Sequence, residues 1–315
     1  MAAIGLGVLA AALARVELER RAAGKSRKRP RSPAPRSKLQ RMTIAQLDLA
    51  IALLQDNGPA PPERTVHETR KALKRARALV RLQRTELGRK RYARENAALR
   101  DAGRLLAGAR DAEVVLDALD ALIARHPDRL ARSPGVSELR ARLADERERA
   151  RAHTERGGPA RAGALAQLHA VRARLERAQP ARRERKTARA GLRRIYREGR
   201  ERRRRALRTP NSRALHEWRK RVKDLRYAAE MLKLRPLERA ADRLGETLGE
   251  EHDLALLAER VRLHRDCLRG EKATRKTLVR LIARKRERLR RRALREGKRL
   301  YRRKPKRFVR RQLDP

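Results

Sequence analysis

The sequence predicts an all-α protein, and three observations carry that prediction. Ala, Leu and Arg dominate the 315 residues, aromatics make up only 2%, and β-branched or aromatic runs are nearly absent, so no stretch favours a strand. Apolar residues recur at helical spacing along most of the chain, punctuated by breaks that contain Pro or Gly. One amphipathic stretch also occurs twice, which predicts a duplicated unit.

The two copies are Val66–Leu82 (VHETRKALKRARALVRL) and Leu215–Lys233 (LHEWRKRVKDLRYAAEMLK). With His67 set on His216, six of the eleven positions counted from the His are identical: His67/His216, Glu68/Glu217, Arg70/Arg219, Lys71/Lys220, Lys74/Lys223 and Arg77/Arg226. Leu73/Val222 is a conservative match. Basic matches alone carry little weight in a chain with 88 Lys and Arg, but a His in register is one of only seven.

Taken in order, Ala2–Ala14 is an apolar run with no positive segment before it and too short to cross a bilayer. We read it as a fraying helix and expect no membrane association. Residues 21–41 mix basic residues with Pro and Ser and read as a flexible linker, so residues 1–41 form a basic extension. Thr43–Leu54 is a helix with Thr43 as its N-cap, ended by the Pro- and Gly-rich loop Asp56–Glu63. The first basic helix runs from about Thr65 to Leu87, and a long helical pattern from Tyr92 to Ala124 ends at His126-Pro127. Ser137–Glu155 and Gly163–Arg177 are helical, with Gly157–Pro159 as the turn.

The second half begins with a helix over 182–208 that holds 14 basic and 3 acidic residues. Asn211 or Ser212 caps the second basic helix, which Arg235-Pro236 ends. Helices over Leu237–Leu268 and Ala273–Leu300 follow, and residues 284–311 hold 17 basic residues against 2 acidic. Each half thus reads as helix, broken loop, basic helix, then a helix with an Asp (Asp111, Asp253) well downstream of its His. Short connections make neighbours antiparallel, so we expect two related bundles, about 42–180 and 181–305, with the basic helices facing a shared groove and 306–315 left as a basic tail.

The spacing within each copy indicates chemistry. On a helix, His67, Arg70, Lys71, Lys74, Arg77 and Arg81 share a sector of about 120°, opposite Ala72, Leu73, Ala76, Leu79 and Val80. His216, Arg219, Lys220, Lys223 and Arg226 likewise face away from Trp218, Val222, Leu225, Ala229 and Leu232. Solvated faces normally mix Glu with Lys to relieve repulsion. No acid intervenes inside these stripes, so they ask for a polyanion. A formal net charge of +50 admits nucleic acid, anionic membrane or inorganic polyphosphate as partner. A merely solvated basic face is the alternative reading.

Arg supplies paired N–H donors matched to phosphate oxygens and Lys a compact charge, so the stripe cations are the leading phosphate contacts. His67 and His216 are phosphate donors, structural groups or metal ligands, although no other ligating side chain stands at metal spacing nearby. Asp111 and Asp253 either orient stripe arginines or are ordinary surface acids. Tyr227 projects from the second stripe and Tyr196 lies in the Arg-rich helix; each is a phosphate donor or a packing aromatic. Arg194 and Arg197 flank the expected groove. Cys267 is the only cysteine, which excludes an intrachain disulfide and fits a reducing cytoplasm.

At this point a resemblance becomes specific. The paired H-E-x-R-K-x-[LV]-K-x-x-R helices, with ARDAEVVL at Ala109–Leu116 and LGEEHDLALL at Leu248–Leu257, resemble the CHAD family, the conserved histidine α-helical domain, over residues 42–305. The resemblance implies two four-helix-type bundles with pseudo-twofold symmetry around a basic channel. It also implies binding of inorganic polyphosphate and association with polyphosphate granules. His252 departs from the pattern, where a smaller polar residue is expected before the Asp. No Walker A, HExxH or Ser/His/Asp arrangement is present. We therefore expect a non-enzymatic, cytoplasmic polyphosphate binder with no catalytic residue, cofactor or metal. Nucleic acid is the runner-up partner and the weaker competitor, because few aromatics are available to stack bases.

Overall fold

The computed structural model describes residues 36–56, 62–106, 110–155, 158–178 and 183–313. The expected N-terminal helix at Ala2–Ala14, most of the linker and most of the Asp56–Glu63 loop lie outside the described residues. Among the described residues all regular structure is helical, so the protein is all-α. The chain groups into two packed units. These do not follow the two halves of the sequence, because one unit draws on residues 1–106 and 157–192 and the other on 107–156 and 193–315.

The first unit is built from α1 (Lys38–Gln55), α2 (Pro62–Leu82), α3 (Arg84–Leu105), α7 (Gly158–Glu176) and the first turns of α8 (Glu184–Arg208). Helices α1, α2, α3 and α7 form a closed ring, each packed on two neighbours. Their apolar faces meet in one core, with Leu47 and Leu54 of α1, Leu73 and Val80 of α2, Leu99 of α3 and Leu168 and Val171 of α7. Helix α1 starts earlier than expected. Ser37 is its N-cap, accepting from the Gln40 amide at 3.2 Å, and Thr43 is instead fully buried, its hydroxyl donating to the Leu39 carbonyl at 2.7 Å. Glu184 accepts from the backbone amides of Lys38 and Leu39, both at 3.0 Å, which ties this start to α8. Gly88, at φ 72°, makes the bend between the first turn of α3 and its main run. That left-handed backbone suits a residue without Cβ.

The second unit holds α4 (Arg110–Arg125), α5 (Pro127–Leu130), α6 (Pro134–Glu155), the rest of α8, α9 (Ser212–Met231), α10 (Arg235–Leu263), α11 (Lys272–Leu300) and α12 (Pro305–Leu313). Helix α10 is central and packs on α9, α11 and α4. Its core joins Leu119 and Leu122 of α4, Leu139 of α6, Leu257 of α10 and Leu278 and Ile282 of α11. The predicted Tyr92–Ala124 helix is two helices, α3 and α4, that belong to different units.

Residues Pro305–Leu313, expected as part of a basic tail, form a helix. Phe308 of α12 stacks on Tyr196 with ring centroids 3.7 Å apart, and Tyr301 lies 5.2 Å from Tyr196. Trp218 is completely buried against Gly297, where a methyl group would come within 2.5 Å of the indole ring. Tyr196, Tyr301 and Phe308 thus pack together in the second unit.

Candidate functional site

Each stripe lies on an amphipathic helix whose apolar face is buried. On α2, Ala72, Leu73, Ala76, Leu79 and Val80 are at most 2% exposed, which leaves the opposite side to the cations. His67 is exposed near the start of α2, and Arg70, Lys71, Lys74 and Arg77 are partly exposed along it. Lys71 sits 3.5 Å from Glu68 one turn earlier. Arg77 donates from Nε to Asn96 Oδ1 of α3 at 3.5 Å. The Asp101 carboxyl of α3 is held below the usual range by Arg100 first, with Arg104 and Arg77 adding to the effect.

Arg81 departs from the open stripe. It is 7% exposed, with Nη1 3.4 Å from the Tyr92 hydroxyl of α3. The reason is tertiary: periodicity places Arg81 in the basic sector, but α3 folds back along α2 and covers its last turn.

On α9, Asn211 caps the helix and accepts from the Ala214 amide at 2.8 Å. Leu215, Trp218, Val222 and Leu225 are buried on one side. His216, Arg219, Lys223 and Arg226 are partly exposed on the other, and Lys220 is exposed. Lys220 pairs with Glu217 at 2.6 Å and pulls that carboxyl below its ordinary range. Acids therefore stand closer than the bare stripe suggests. Arg226 lies 2.8 Å from Asp242 of α10 and 3.9 Å from Glu230.

Tyr227 is 8% exposed, with the Arg226 guanidinium 4.7 Å from its ring centre, so it does not project from the stripe. Tyr196 is fully buried and donates to the carbonyls of Leu300 at 3.2 Å and Arg303 at 3.1 Å. Burial pushes its hydroxyl up to about 12. Tyr196 is the packing aromatic of its two readings. Both tyrosines turn inward because the face they occupy is covered by other helices, which helical periodicity alone does not reveal.

Helix α10 completes the second stripe. The Arg219 guanidinium lies beside Gly249, about where a Cβ would make ordinary contact at 3.5 Å. The His252 and His216 rings are 4.2 Å apart and tilted by 40°. Burial first, then the charges of His216, Arg219, Lys223 and Lys220, pull the His252 imidazole down to about 4. The residue that departs from the family pattern thus sits where the positive field of the stripe is felt. Its signal in the sequence was that departure within Leu248–Leu257.

Asp253 follows His252 on α10 and is partly exposed, whereas the side chain of Asp111 lies outside the described residues. On the second-unit part of α8, Arg194 is partly buried and Arg197 is 58% exposed, 3.8 Å from Glu201. Among the described residues no three His, Cys, Asp or Glu side chains converge to hold a metal ion, and no helix is long and apolar enough to cross a membrane.

Two buried carboxylates tie together helices that pack beside the stripe helices. Glu95 of α3, 1% exposed, accepts from Arg174 of α7 at 2.8 to 3.1 Å and from Arg94 at 2.8 Å. Glu251 of α10, 1% exposed, accepts from Arg286 at 2.9 Å and Arg290 at 3.0 Å of α11. Arg286 also donates to Ser212 at the start of α9 at 2.7 Å, so this carboxylate helps to fix the origin of the second stripe.

A family model described as CHAD domain matches residues 45–262. That match covers more than half of the chain and both stripe helices, and the chain belongs to this family. The family is linked to polyphosphate binding. No curated protein matches the chain significantly.

Proposed function

We propose, with membership of the CHAD family as the premise, that this protein binds inorganic polyphosphate without turning it over, through the Lys/Arg stripes of α2 and α9. The contacts we assign are His67, Arg70, Lys71, Lys74 and Arg77 on α2, and His216, Arg219, Lys220 and Lys223 on α9. Its cellular place on this reading is the cytoplasm, at polyphosphate granules.

One observation carries the reading. His216 lies with its ring 4.2 Å from that of His252 on α10 and the Arg219 guanidinium lies beside Gly249, and after burial it is the charges of His216, Arg219, Lys223 and Lys220 that pull the His252 imidazole down to about 4. Cations held near one another repel until an anion arrives, and a polymer with about one charge per phosphate supplies that relief along a line. Arg clamps phosphate oxygens through paired N–H groups, while Lys adds charge with little directional demand. Polyphosphate offers no bases, so a site without stacking rings is no handicap.

Retention of long-chain polyphosphate, titrated with salt, tests the proposal. Affinity should fall steeply as salt rises, and polyphosphate should displace nucleic acid at equal phosphate concentration. Failure to displace it would transfer the stripes to nucleic acid. Chain length after incubation with Mg²⁺ or Mn²⁺ should be unchanged, and any shortening would make the protein an enzyme.

A further inference from the structure

We propose that α11 carries a second polyanion surface, which lets one molecule hold a second polyphosphate chain and so bridge two polymers. The inference rests on the reading of the stripes as polyphosphate sites and concerns residues outside both stripes and beyond the family match, which ends at residue 262.

Arg280, Arg284, Arg288, Arg291, Arg295 and Lys298 follow one another at steps of three or four, and all are exposed. At 100° per residue they share a sector of about 80°, and from 280 to 298 every residue inside that sector is basic. The buried positions of α11, among them Leu278, Ile282, Leu289 and Ala293, lie on the opposite side, where the helix packs on α10. The ridge therefore faces away from the α9–α10 surface that holds His216 and Arg219.

Compensation along the ridge is slight. Glu287 flanks it 3.7 Å from Arg291, but both side chains are more than half exposed, so the pair contributes little. Glu296, the other acid of α11, is engaged away from the ridge by Arg292 at 2.9 Å and Thr247 at 3.0 Å. Successive like charges at this spacing destabilise a helix. An anion lying along the ridge removes that repulsion.

The shape selects among anions. The ridge runs nearly straight for about 27 Å, which a flexible single string of phosphates follows more closely than the winding backbones of a duplex. Base stacking is not on offer in the second unit, whose aromatics Tyr196, Trp218, Tyr227, Tyr301 and Phe308 are all buried.

The test is a sandwich capture. Protein is bound to sparsely immobilised long-chain polyphosphate, washed, and offered fluorescent polyphosphate in solution. A ridge variant, Arg280→Gln/Arg284→Gln/Arg288→Gln/Arg295→Gln, should hold the immobilised polymer nearly as well as the native protein. It should capture at least about five-fold less of the second chain, given the phosphate contacts removed. A control variant, Arg208→Gln/Arg262→Gln/Arg265→Gln/Arg269→Gln, loses the same charge from exposed positions off the ridge and should capture like the native protein. Equal losses in both variants, no second-chain capture by the native protein, or preferential capture of duplex nucleic acid would each overturn the inference. Lys74→Gln/Lys223→Gln added to the ridge variant reports separately: retention on the immobilised polymer unchanged from that of the ridge variant would defeat the stripe reading and leave the ridge result to stand on its own.

Discussion

The two stripe helices begin alike and end differently. Both open with His-Glu and place a Lys one turn on beside that Glu, Lys71 by Glu68 at 3.5 Å and Lys220 by Glu217 at 2.6 Å. One register later, the position held by Arg81 in the first copy is Glu230 in the second. Arg81 is buried under Tyr92, whereas Glu230 stands near Arg226, which Asp242 also approaches. His67 is exposed, while His216 is partly buried against His252. The shared part is what one helix determines by itself. The divergent part is where a neighbouring helix, α3 in one unit and α10 in the other, contributes its own side chains.

The largest test of that comparison concerns the buried carboxylates of α3 and α10, the helices packed against the stripes. Glu251→Ala leaves Arg286 and Arg290 without their carboxylate, and Glu95→Ala does the same to Arg94 and Arg174. Glu251→Ala should cost about 3 kcal/mol of stability in denaturant unfolding, and Glu95→Ala somewhat less, because the Arg94 side chain it frees is more than half exposed. A loss below about 1 kcal/mol for either one would show that its unit does not depend on the buried charge.

Next in size is charge reversal of the stripes. Lys74→Glu/Arg77→Glu combined with Arg219→Glu/Lys223→Glu should weaken polyphosphate retention by about 100-fold or more, since charge-assisted hydrogen bonds contribute about 1.5–3 kcal/mol each. Helicity by circular dichroism should be preserved. Reversal within one stripe should give an intermediate loss; if the α2 pair alone matched all four changes, the α9 stripe would have no part in binding.

A smaller effect of opposite sign sharpens the contrast at the helix ends. Asp242→Asn removes the carboxylate closest to Arg226 and should tighten polyphosphate binding about two- to five-fold, as expected for a partly exposed ion pair. An unchanged salt titration would mean that Arg226 is not within reach of the polymer. No counterpart is expected on α2, where the matching end is capped by Tyr92.

The smallest effect is a pH dependence. The His252 imidazole is depressed from 6.5 to about 4 in the folded protein. The unfolded chain therefore takes up the proton first, and stability is lost as pH falls from 6.5 towards 4. Allowing for screening by solvent, the loss is on the order of 1 kcal/mol. His252→Asn should flatten that part of the stability profile, and bound polyphosphate should do so in the native protein, because an anion favours the charged ring. A profile unchanged by the substitution would locate the acid sensitivity elsewhere.

Much of the fold was legible because it follows from local rules. Apolar periodicity identified α2, α9 and α11, and Asn211 acts as the predicted cap because a short polar side chain before a helix reaches the free amides. Other readings failed where distance in sequence hides proximity. Ser37 looked like linker because Pro and basic residues surround it, yet Glu184 meets the helix it caps. Phe308 read as part of a basic tail, but it completes the stack on Tyr196. Asp242 and His252 are unremarkable as letters and become part of the second stripe only because α10 packs along α9.

The sequence by itself determined the all-helical class, the amphipathic faces of the stripe helices, the duplicated cationic register and the family, since each depends on residues a few positions apart. Only the tertiary structure decided which stripe cations are covered, which acids meet them, and that helices from the middle of the chain pack with its end. Those outcomes depend on which helix lies against which, and helical periodicity describes one helix at a time.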